Sequence, residues 1–205
     1  MSTQQSKKYR LKVIEQLKKY FSDEQFKQIV KWALNKPSVP IKCSEMTIGT
    51  QKKRAQEEEK IWGNKMIDQT GNGQWTTLLG ERLVYDALVR KCENPRKVKR
   101  KNGFEPDWET DEYIYEVKTS NWCVSGTAGE KVLGTWIKYQ NIPEIYGKPL
   151  RIVCVANQEY EFEFGKTPFF GENVTEKTTQ VLQLAKSWDI EYVRFSEFVS
   201  EINYK

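Results

Sequence analysis

Two short motifs near the middle of the chain carry the residue types best suited to chemistry. Asp107 follows Pro106, and Glu116 comes nine residues later, separated from Lys118 only by Val117. The stretch around Glu116 alternates as a β-strand does, and residues two apart in a strand share a face, so Glu116 and Lys118 point the same way. A carboxylate and an ammonium group directed together beside an apolar face need either solvent or a metal ion.

Two carboxylates and a strand carbonyl provide hard oxygen ligands, which are the donors that Mg²⁺ prefers. Such an ion lowers the pKa of a bound water and neutralises charge on a phosphodiester during an in-line displacement. Lys118 would then orient the water, favour its deprotonation or stabilise the developing negative charge. The alternatives are structural: Asp107 shapes a turn, and Glu116 and Lys118 form an exposed cross-strand pair.

The chain has 205 residues and no histidine, which restricts the chemistry further. The absence excludes Ser-His-Asp and Cys-His hydrolases, and also nucleases and zinc sites that need imidazole. The four cysteines are scattered without a Cys-x-x-Cys pair, which favours ordinary reduced thiols in an intracellular protein. Acid–base chemistry must therefore rest on carboxylates, lysine, tyrosine, cysteine or water bound to a metal.

The proline–aspartate pair at 106–107 and the glutamate–valine–lysine triplet at 116–118 resemble the signature of the PD-(D/E)xK nuclease superfamily. Members often place a further glutamate on the helix before this pair of strands, and Glu81 in TTLLGERLVYDAL stands at that position. The resemblance covers roughly residues 75–157. It implies a restriction-endonuclease-like core, in which helices flank a mixed β-sheet.

Carried onto this sequence residue by residue, the resemblance implies that Asp107 and Glu116 are metal ligands and that Lys118 is the catalytic lysine. Glu81 would assist catalysis through a metal-bound water or as a ligand of a second ion, although a charged residue on an amphipathic helix is usually solvated. The implied cofactor is Mg²⁺, which Mn²⁺ would be able to replace.

The loop after the triplet, residues 119–131, is rich in glycine and small hydroxyl side chains. Its backbone N–H groups, opening onto a helix, can hold a phosphate; the alternative is a flexible loop that caps the helix. The side chains that we expect to contact DNA here and on the following helix are Asn121, Ser125, Thr127, Lys131, Lys138 and Gln140. The basic run at 96–101 has two open interpretations, a contact to the DNA backbone or an edge strand protected by lysines.

The elements around these residues indicate an α/β fold with a mixed sheet and an N-terminal helical extension. Helices are predicted at about 7–34 (two, divided at Ser22 with a capping box to Gln25), 51–69, 75–92, 130–140, 175–188 and 196–202. Strands are predicted at 96–101, 112–118, 150–156 and 190–194. The charged helix at 51–69 is expected either to be solvated or to lie near a nucleic-acid backbone.

The charge is unevenly distributed and suggests a polyanionic partner. Residues 1–70 hold 15 basic and 8 acidic groups, a net +7, whereas residues 71–157 carry +2 and residues 158–205 carry −4. We therefore divide the chain into a basic helical region, 1–70, that contacts or supports DNA, and a nuclease core, 71–205.

The resemblance and the charge together predict a type II restriction endonuclease that cuts a specific short sequence in double-stranded DNA as a homodimer. A structure-directed or repair nuclease of the same fold, such as a junction resolvase, is one alternative, and a non-catalytic DNA-binding module is another. The first ten residues have no apolar signal region, and no apolar run is long enough for a membrane span. We accordingly expect a cytoplasmic protein without membrane contact.

Overall fold

The structure is a computed structural model that describes residues 21–34, 49–123, 132–200 and 202. The helices of this part of the chain are α1 (Asp23–Leu34), α2 (Gly49–Met66), α3 (Trp75–Arg90), α4 (Thr135–Lys138), α5 (Ile142–Tyr146), α6 (Asn157–Phe164), α7 (Glu176–Ser187) and α8 (Phe195–Ser200). The strands are β1 (Arg96–Lys97), β2 (Trp108–Glu109), β3 (Ile114–Ser120), β4 (Leu150–Ala156) and β5 (Ile190–Arg194).

The five strands form one mixed sheet in the order β1-β2-β3-β4-β5. The first three are antiparallel neighbours, whereas β3, β4 and β5 run parallel. Helices connect the parallel strands, as parallel pairing requires. The predicted α/β fold with a mixed sheet flanked by helices is confirmed at this level.

The central strands β3 and β4 are covered on both faces, because successive side chains point to opposite sides of the sheet. The first core, on one face, includes Phe26, Ile29, Leu79, Leu83, Tyr115, Val117, Val153, Val155 and Phe198. The second core, on the other face, includes Ile114, Trp136, Tyr139, Ile142, Tyr146, Leu150, Ile152 and Ala185. This double burial explains why residues 150–156 are an uninterrupted apolar run.

The N-terminal helix α1 begins as the sequence predicts. The Ser22 hydroxyl accepts a hydrogen bond from the Gln25 backbone N–H at 3.2 Å, and the Gln25 side chain accepts one from the Ser22 N–H at 3.1 Å, which completes the capping box. Phe26, Ile29 and Trp32 are fully buried. The described part of the N-terminal region thus shares a core with α3, and the helix predicted before Ser22 lies outside the described residues.

Two local predictions are wrong in their extent, and one helix is absent from the prediction. The strand predicted at 96–101 ends after Lys97. Of the helix predicted at 130–140, the described part is helical at 132–133 and, after a turn at Gly134, in the four-residue α4. A second short helix, α5, follows with a proline in its first turn. Helix α6 was not predicted, because NQEYEFEF has no helical apolar period; β4 passes directly into it at Ala156, whose φ is 58°.

Cys123 is disulfide-bonded, whereas Cys92 and Cys154 are free thiols, so the expectation of reduced cysteines is wrong for Cys123. Within the described residues, no helix is both long enough and apolar enough to cross a bilayer.

Candidate active site

The side chain of Asp107 continues the sheet at the point where β2 stops pairing with β3. The last residue pair of these strands is Trp108 with Tyr115. Beyond it, the Asp107 N–H donates to the Tyr115 carbonyl at 3.0 Å, and the Asp107 Oδ2 accepts from the Val117 N–H at 2.7 Å. The carboxylate therefore takes the place of a strand carbonyl and is fixed against β3.

Glu116 is held by two donors through one of its oxygens. Its Oε1 accepts from Lys118 Nζ at 2.5 Å and from Tyr139 Oη at 3.0 Å. The side chain is 7% exposed, and its Oε2 is buried with no hydrogen-bond partner among the described residues. Because a buried acceptor without a donor is costly, this oxygen is the atom of the site best placed for a further ligand.

Glu81 and Lys97 approach the same point from the other face of the sheet. Lys97 on β1 pairs with Trp108 on β2, and the Lys97 Nζ lies 5.0 Å from the centre of the Trp108 ring. That Nζ is 3.7 Å from Glu81 Oε2 and 3.8 Å from Asp107 Oδ1. The sequence does not identify Lys97 as a site residue, because five of the six residues at 96–101 are basic and nothing shows which of them faces inward.

Helix α3 reaches β3 closely enough to bring Glu81 into the site. A Cβ added at Gly80 would overlap the side chain of Thr119, so only glycine permits this approach. The Trp108 indole also donates to the Glu81 carbonyl at 2.8 Å, which ties the helix to β2. The placement of Glu81 near Asp107 agrees with its predicted position, and its side chain is 14% exposed.

Burial and mutual repulsion raise the pKa values of the carboxyl groups. Burial, followed by the neighbouring Glu81, raises the pKa of Asp107 to about 7. Burial, followed by Asp107, raises the pKa of Glu116 to about 7, and burial also raises the pKa of Glu81. Lys97 and Lys118 oppose these shifts. The site thus concentrates more negative charge than its surroundings stabilise, a condition that a cation relieves.

The fit of these residues to a metal ion depends on chemistry and on arrangement. Within the described chain, no group of three or more histidine, cysteine, aspartate or glutamate side chains is arranged to hold one. In this conformation Lys118 engages Glu116, and Lys97 lies beside Asp107, so ammonium groups supply the positive charge. The donors nevertheless fit Mg²⁺ in type, since all are carboxylate oxygens and Glu116 Oε2 is unpaired.

The predicted DNA contacts are dispersed. Ser125, Thr127 and Lys131 lie outside the described residues. Lys138 is exposed with its Nζ 3.4 Å from Tyr139 Oη, which places it beside the carboxylates. Gln140 instead lines a separate cavity of about 530 Å³ with residues such as Asp189, which directly precedes β5.

Asn121 belongs to a buried arrangement that fixes the start of the 119–131 loop. Its side chain hydrogen-bonds to Glu59 of α2. The Glu59 carboxylate also accepts from the Trp122 N–H at 3.0 Å, the Cys123 N–H at 3.2 Å and the Trp32 indole at 3.0 Å. Helix α2 is therefore neither fully solvated nor only a surface for DNA, because one of its glutamates is 1% exposed and anchors a loop.

The arrangement joins three largely buried carboxylates, two lysines and a tyrosine at one edge of β3. These residue types are the ones that bind cations, orient water and stabilise anionic phosphorus centres in proteins, although the described carboxylates are not arranged here to hold an ion. The residues predicted from the sequence to be catalytic (Glu81, Asp107, Glu116 and Lys118) are brought together, and Lys97 and Tyr139 join them. Comparison of the chain with protein-family models, curated proteins and solved structures gives no match.

Proposed function

We propose that the protein is a Mg²⁺-dependent DNA endonuclease with a restriction-endonuclease-like fold, which hydrolyses phosphodiester bonds at a specific short double-stranded sequence. The observation that carries the proposal is the fixed position of Asp107. The Val117 N–H holds its carboxylate at the very step of β3 that carries Glu116 and Lys118. One oxygen of Asp107 is used by this hydrogen bond, and the other lies 3.8 Å from Lys97 among buried carboxyl groups, where positive charge is favoured.

Each residue has a role that follows from its surroundings. Asp107 Oδ1 and Glu116 Oε2 would hold the cation, with Glu81 as an additional ligand or as the acceptor for a coordinated water. Bound Mg²⁺ supplies a more acidic water and charge neutralisation for the phosphodiester. Lys118, released from Glu116, orients that water or stabilises the charge that develops on the phosphate. Tyr139 keeps Glu116 oriented through its Oε1.

The substrate class rests on charge. The basic N-terminal and central regions favour a polyanionic partner. A nucleic acid is the polyanion whose phosphodiester groups this combination of carboxylates and lysine can act on. Cleavage of both strands of a palindromic site requires two active centres, so we propose a homodimer.

The test is incubation of a sequenced plasmid with the protein and Mg²⁺, followed by mapping of the ends. Discrete and reproducible fragments support a sequence-specific endonuclease. Activity only on branched DNA supports a structure-directed nuclease, and binding without cleavage supports a non-catalytic module. Each of the last two outcomes overturns the proposed function in its present form.

Two variants control for contaminating nucleases. Asp107→Asn and Glu116→Gln should each abolish cleavage, whereas Glu172→Gln, at an exposed position of the same chain, should cleave like the wild type. Chelation by EDTA should stop the reaction, and Mn²⁺ should restore it. Cleavage that persists in the two active-site variants would show that the activity belongs to another protein.

A further inference from the structure

The connection between β1 and β2 begins and ends in the candidate active site. Lys97 precedes this connection and Asp107 is its last residue, and their charged atoms are 3.8 Å apart. We call residues 98–106 the basic loop. Because both of its ends are fixed at the carboxylates, the position of the loop relative to the reacting centre is set by the fold.

The basic loop is also held along its length. Tyr146 Oη donates to the carbonyls of Lys99 at 2.9 Å and Phe104 at 3.1 Å. Lys101 and Phe104 exchange two backbone hydrogen bonds of 3.0 and 2.8 Å across a turn in which Gly103 has a φ of 84°. The Phe104 ring packs against Tyr139, the residue that binds Glu116. The loop is thus a built element of the site.

Three consecutive cationic residues, Lys99, Arg100 and Lys101, are exposed on this loop. Among the residues that the structure describes, none of the three forms an ion pair, whereas Arg96 in the adjacent strand pairs with Glu109 and Asp111. Glu105 is the acidic residue of the loop, so its local net charge is +2.

Protection of a sheet edge does not account for these three residues. Lysines protect an edge by lying on the strand whose backbone is unpaired. Here the strand is only Arg96–Lys97, and Lys97 points to the carboxylates. The three cations lie beyond the last residue of β1 that pairs with β2, and Lys101 pairs only with Phe104 of the same loop. The Lys101 ammonium lies 4.7 Å from the centre of the Tyr146 ring, whereas Lys99 and Arg100 have neither an ion pair nor a ring contact among the described residues. All three side chains are exposed next to the active site.

We propose that the basic loop binds the phosphates that flank the scissile phosphodiester on the DNA strand being cut. This inference rests on the proposed function. Lys101 is four residues from Lys97, a reach of at most about 13 Å at roughly 3.3 Å per residue. Because each strand carries a phosphate about every 3.4 Å along the axis, the loop reaches on the order of four phosphates.

The experiment compares two triple variants that remove the same charge. Lys99→Gln, Arg100→Gln and Lys101→Gln change the loop; Lys166→Gln, Lys177→Gln and Lys186→Gln change exposed lysines of the acidic C-terminal third. Binding to a 40-bp mixed-sequence duplex is measured without divalent metal over a series of salt concentrations, alongside plasmid cleavage with Mg²⁺. A charge-conserving loop variant, Lys99→Arg with Arg100→Lys and Lys101→Arg, tests whether charge alone matters.

We expect the loop variant to weaken binding at least tenfold and to reduce the slope of log Kd against log salt by about 2 to 3, since each phosphate contact contributes about 0.9. The C-terminal triple and the charge-conserving variant should bind within about twofold of the wild type. Equal losses in both triple variants, or a loop variant that binds normally, would overturn the role of the loop.

Failure of the loop proposal is separable from failure of the proposed function. A wild-type protein that cleaves plasmid while the loop variant binds as tightly as the wild type leaves the nuclease proposal intact and overturns the loop proposal. A wild-type protein that binds duplex through the loop without cleaving overturns the nuclease proposal and retains the surface as a DNA contact. A wild-type protein that binds no duplex overturns both.

Discussion

Asp107 is bound to the backbone of Val117 through its side chain, with Oδ2 2.7 Å from the Val117 nitrogen. One oxygen of the carboxylate thus completes the pairing of β3, and the other, Oδ1, faces Lys97. This division explains how a residue at a strand end can be both structural and reactive. It also predicts which substitutions separate stability from activity.

Asp107→Asn should make the free energy of unfolding less dependent on pH, and it should abolish cleavage. The pKa of Asp107 is raised to about 7, so the folded protein holds this proton more tightly than the unfolded chain does. This tighter proton binding adds to the free energy of unfolding. The added stability is fully present below about pH 4 and is lost as the pH rises through about 7. Asparagine keeps the acceptor for Val117 without that loss.

Urea denaturation at pH 4.5 and pH 8 measures this effect. We expect the variant to be more stable than the wild type at pH 8, relative to pH 4.5, by on the order of 2 kcal/mol. Asp189→Asn, at an exposed position, is the control and should follow the wild type. An unchanged pH dependence in Asp107→Asn would contradict the inference that ionisation of Asp107 destabilises the folded protein.

Lys118→Ala should remove catalysis and leave DNA binding largely intact. Lys118 contacts Glu116 and lies beside the other carboxylates, where its role is to act on the attacking water or the phosphate. We expect cleavage to fall by about 10²–10³-fold and the Kd for duplex DNA to change by less than about threefold. Lys186→Ala, on α7, is the matched control, and wild-type turnover by Lys118→Ala would refute the assignment.

Tyr139→Phe should shift the pH dependence of cleavage to higher pH. The phenol donates to Glu116 and stabilises its ionised form, so removal of the hydroxyl raises the pKa of Glu116 further above about 7. A hydrogen bond to a charged group contributes about 1.5 kcal/mol, which corresponds to a shift of roughly one pH unit. Rates measured from pH 6 to pH 9 would show it, and a lower rate with an unmoved midpoint would contradict this role.

Lys97→Met should destabilise the protein at alkaline pH only. Lys97 lies 3.7 Å from Glu81 and 3.8 Å from Asp107, and it opposes the rise in their pKa values. At pH 4.5 Asp107 is protonated and needs no counter-charge. At pH 8 we expect a loss of about 1 kcal/mol in the free energy of unfolding. Lys186→Met should show no such dependence, and an equal loss at both pH values would indicate a packing role instead.

The sequence predicts those parts of the molecule whose information is local. Residues 150–156 are apolar enough to identify a central strand, and the capping box needs only Ser22 and Gln25. Asp107, Glu116 and Lys118 are close in the chain, so a single pair of strands brings them together. Glu81 could be identified only through the resemblance to a known family, because its approach to β3 depends on the contact between Gly80 and Thr119.

Lys97 and Tyr139 join the site for reasons that no short stretch of sequence contains. Lys97 faces inward because of its register with Trp108, and four other residues at 96–101 are equally basic. Tyr139 reaches Glu116 because α4 packs over β3 from a position 23 residues further along the chain. Long-range register and packing, rather than composition, decide which cation and which phenol lie in the site.

Glu59 shows the same limit in a region that the sequence marks as a charged surface helix. Its carboxylate accepts hydrogen bonds from the Trp32 indole and from the backbone N–H groups of Trp122 and Cys123. Glu59→Gln replaces one of these acceptor oxygens with an NH₂ group, so that a donor faces a donor in a buried position. We therefore expect the free energy of unfolding to fall by about 2 kcal/mol.

Glu58→Gln is the matched control, because Glu58 is adjacent in the chain, exposed and paired only with Arg54 of the same helix among the described residues. Its loss should not exceed about 0.5 kcal/mol, the usual contribution of such a pair. Urea denaturation of both variants gives the comparison. If they lose equal stability, Glu59 is not the anchor of the loop that leads away from Lys118. If only Glu59→Gln is weakened, a buried carboxylate of α2 fixes where that loop begins relative to the active site.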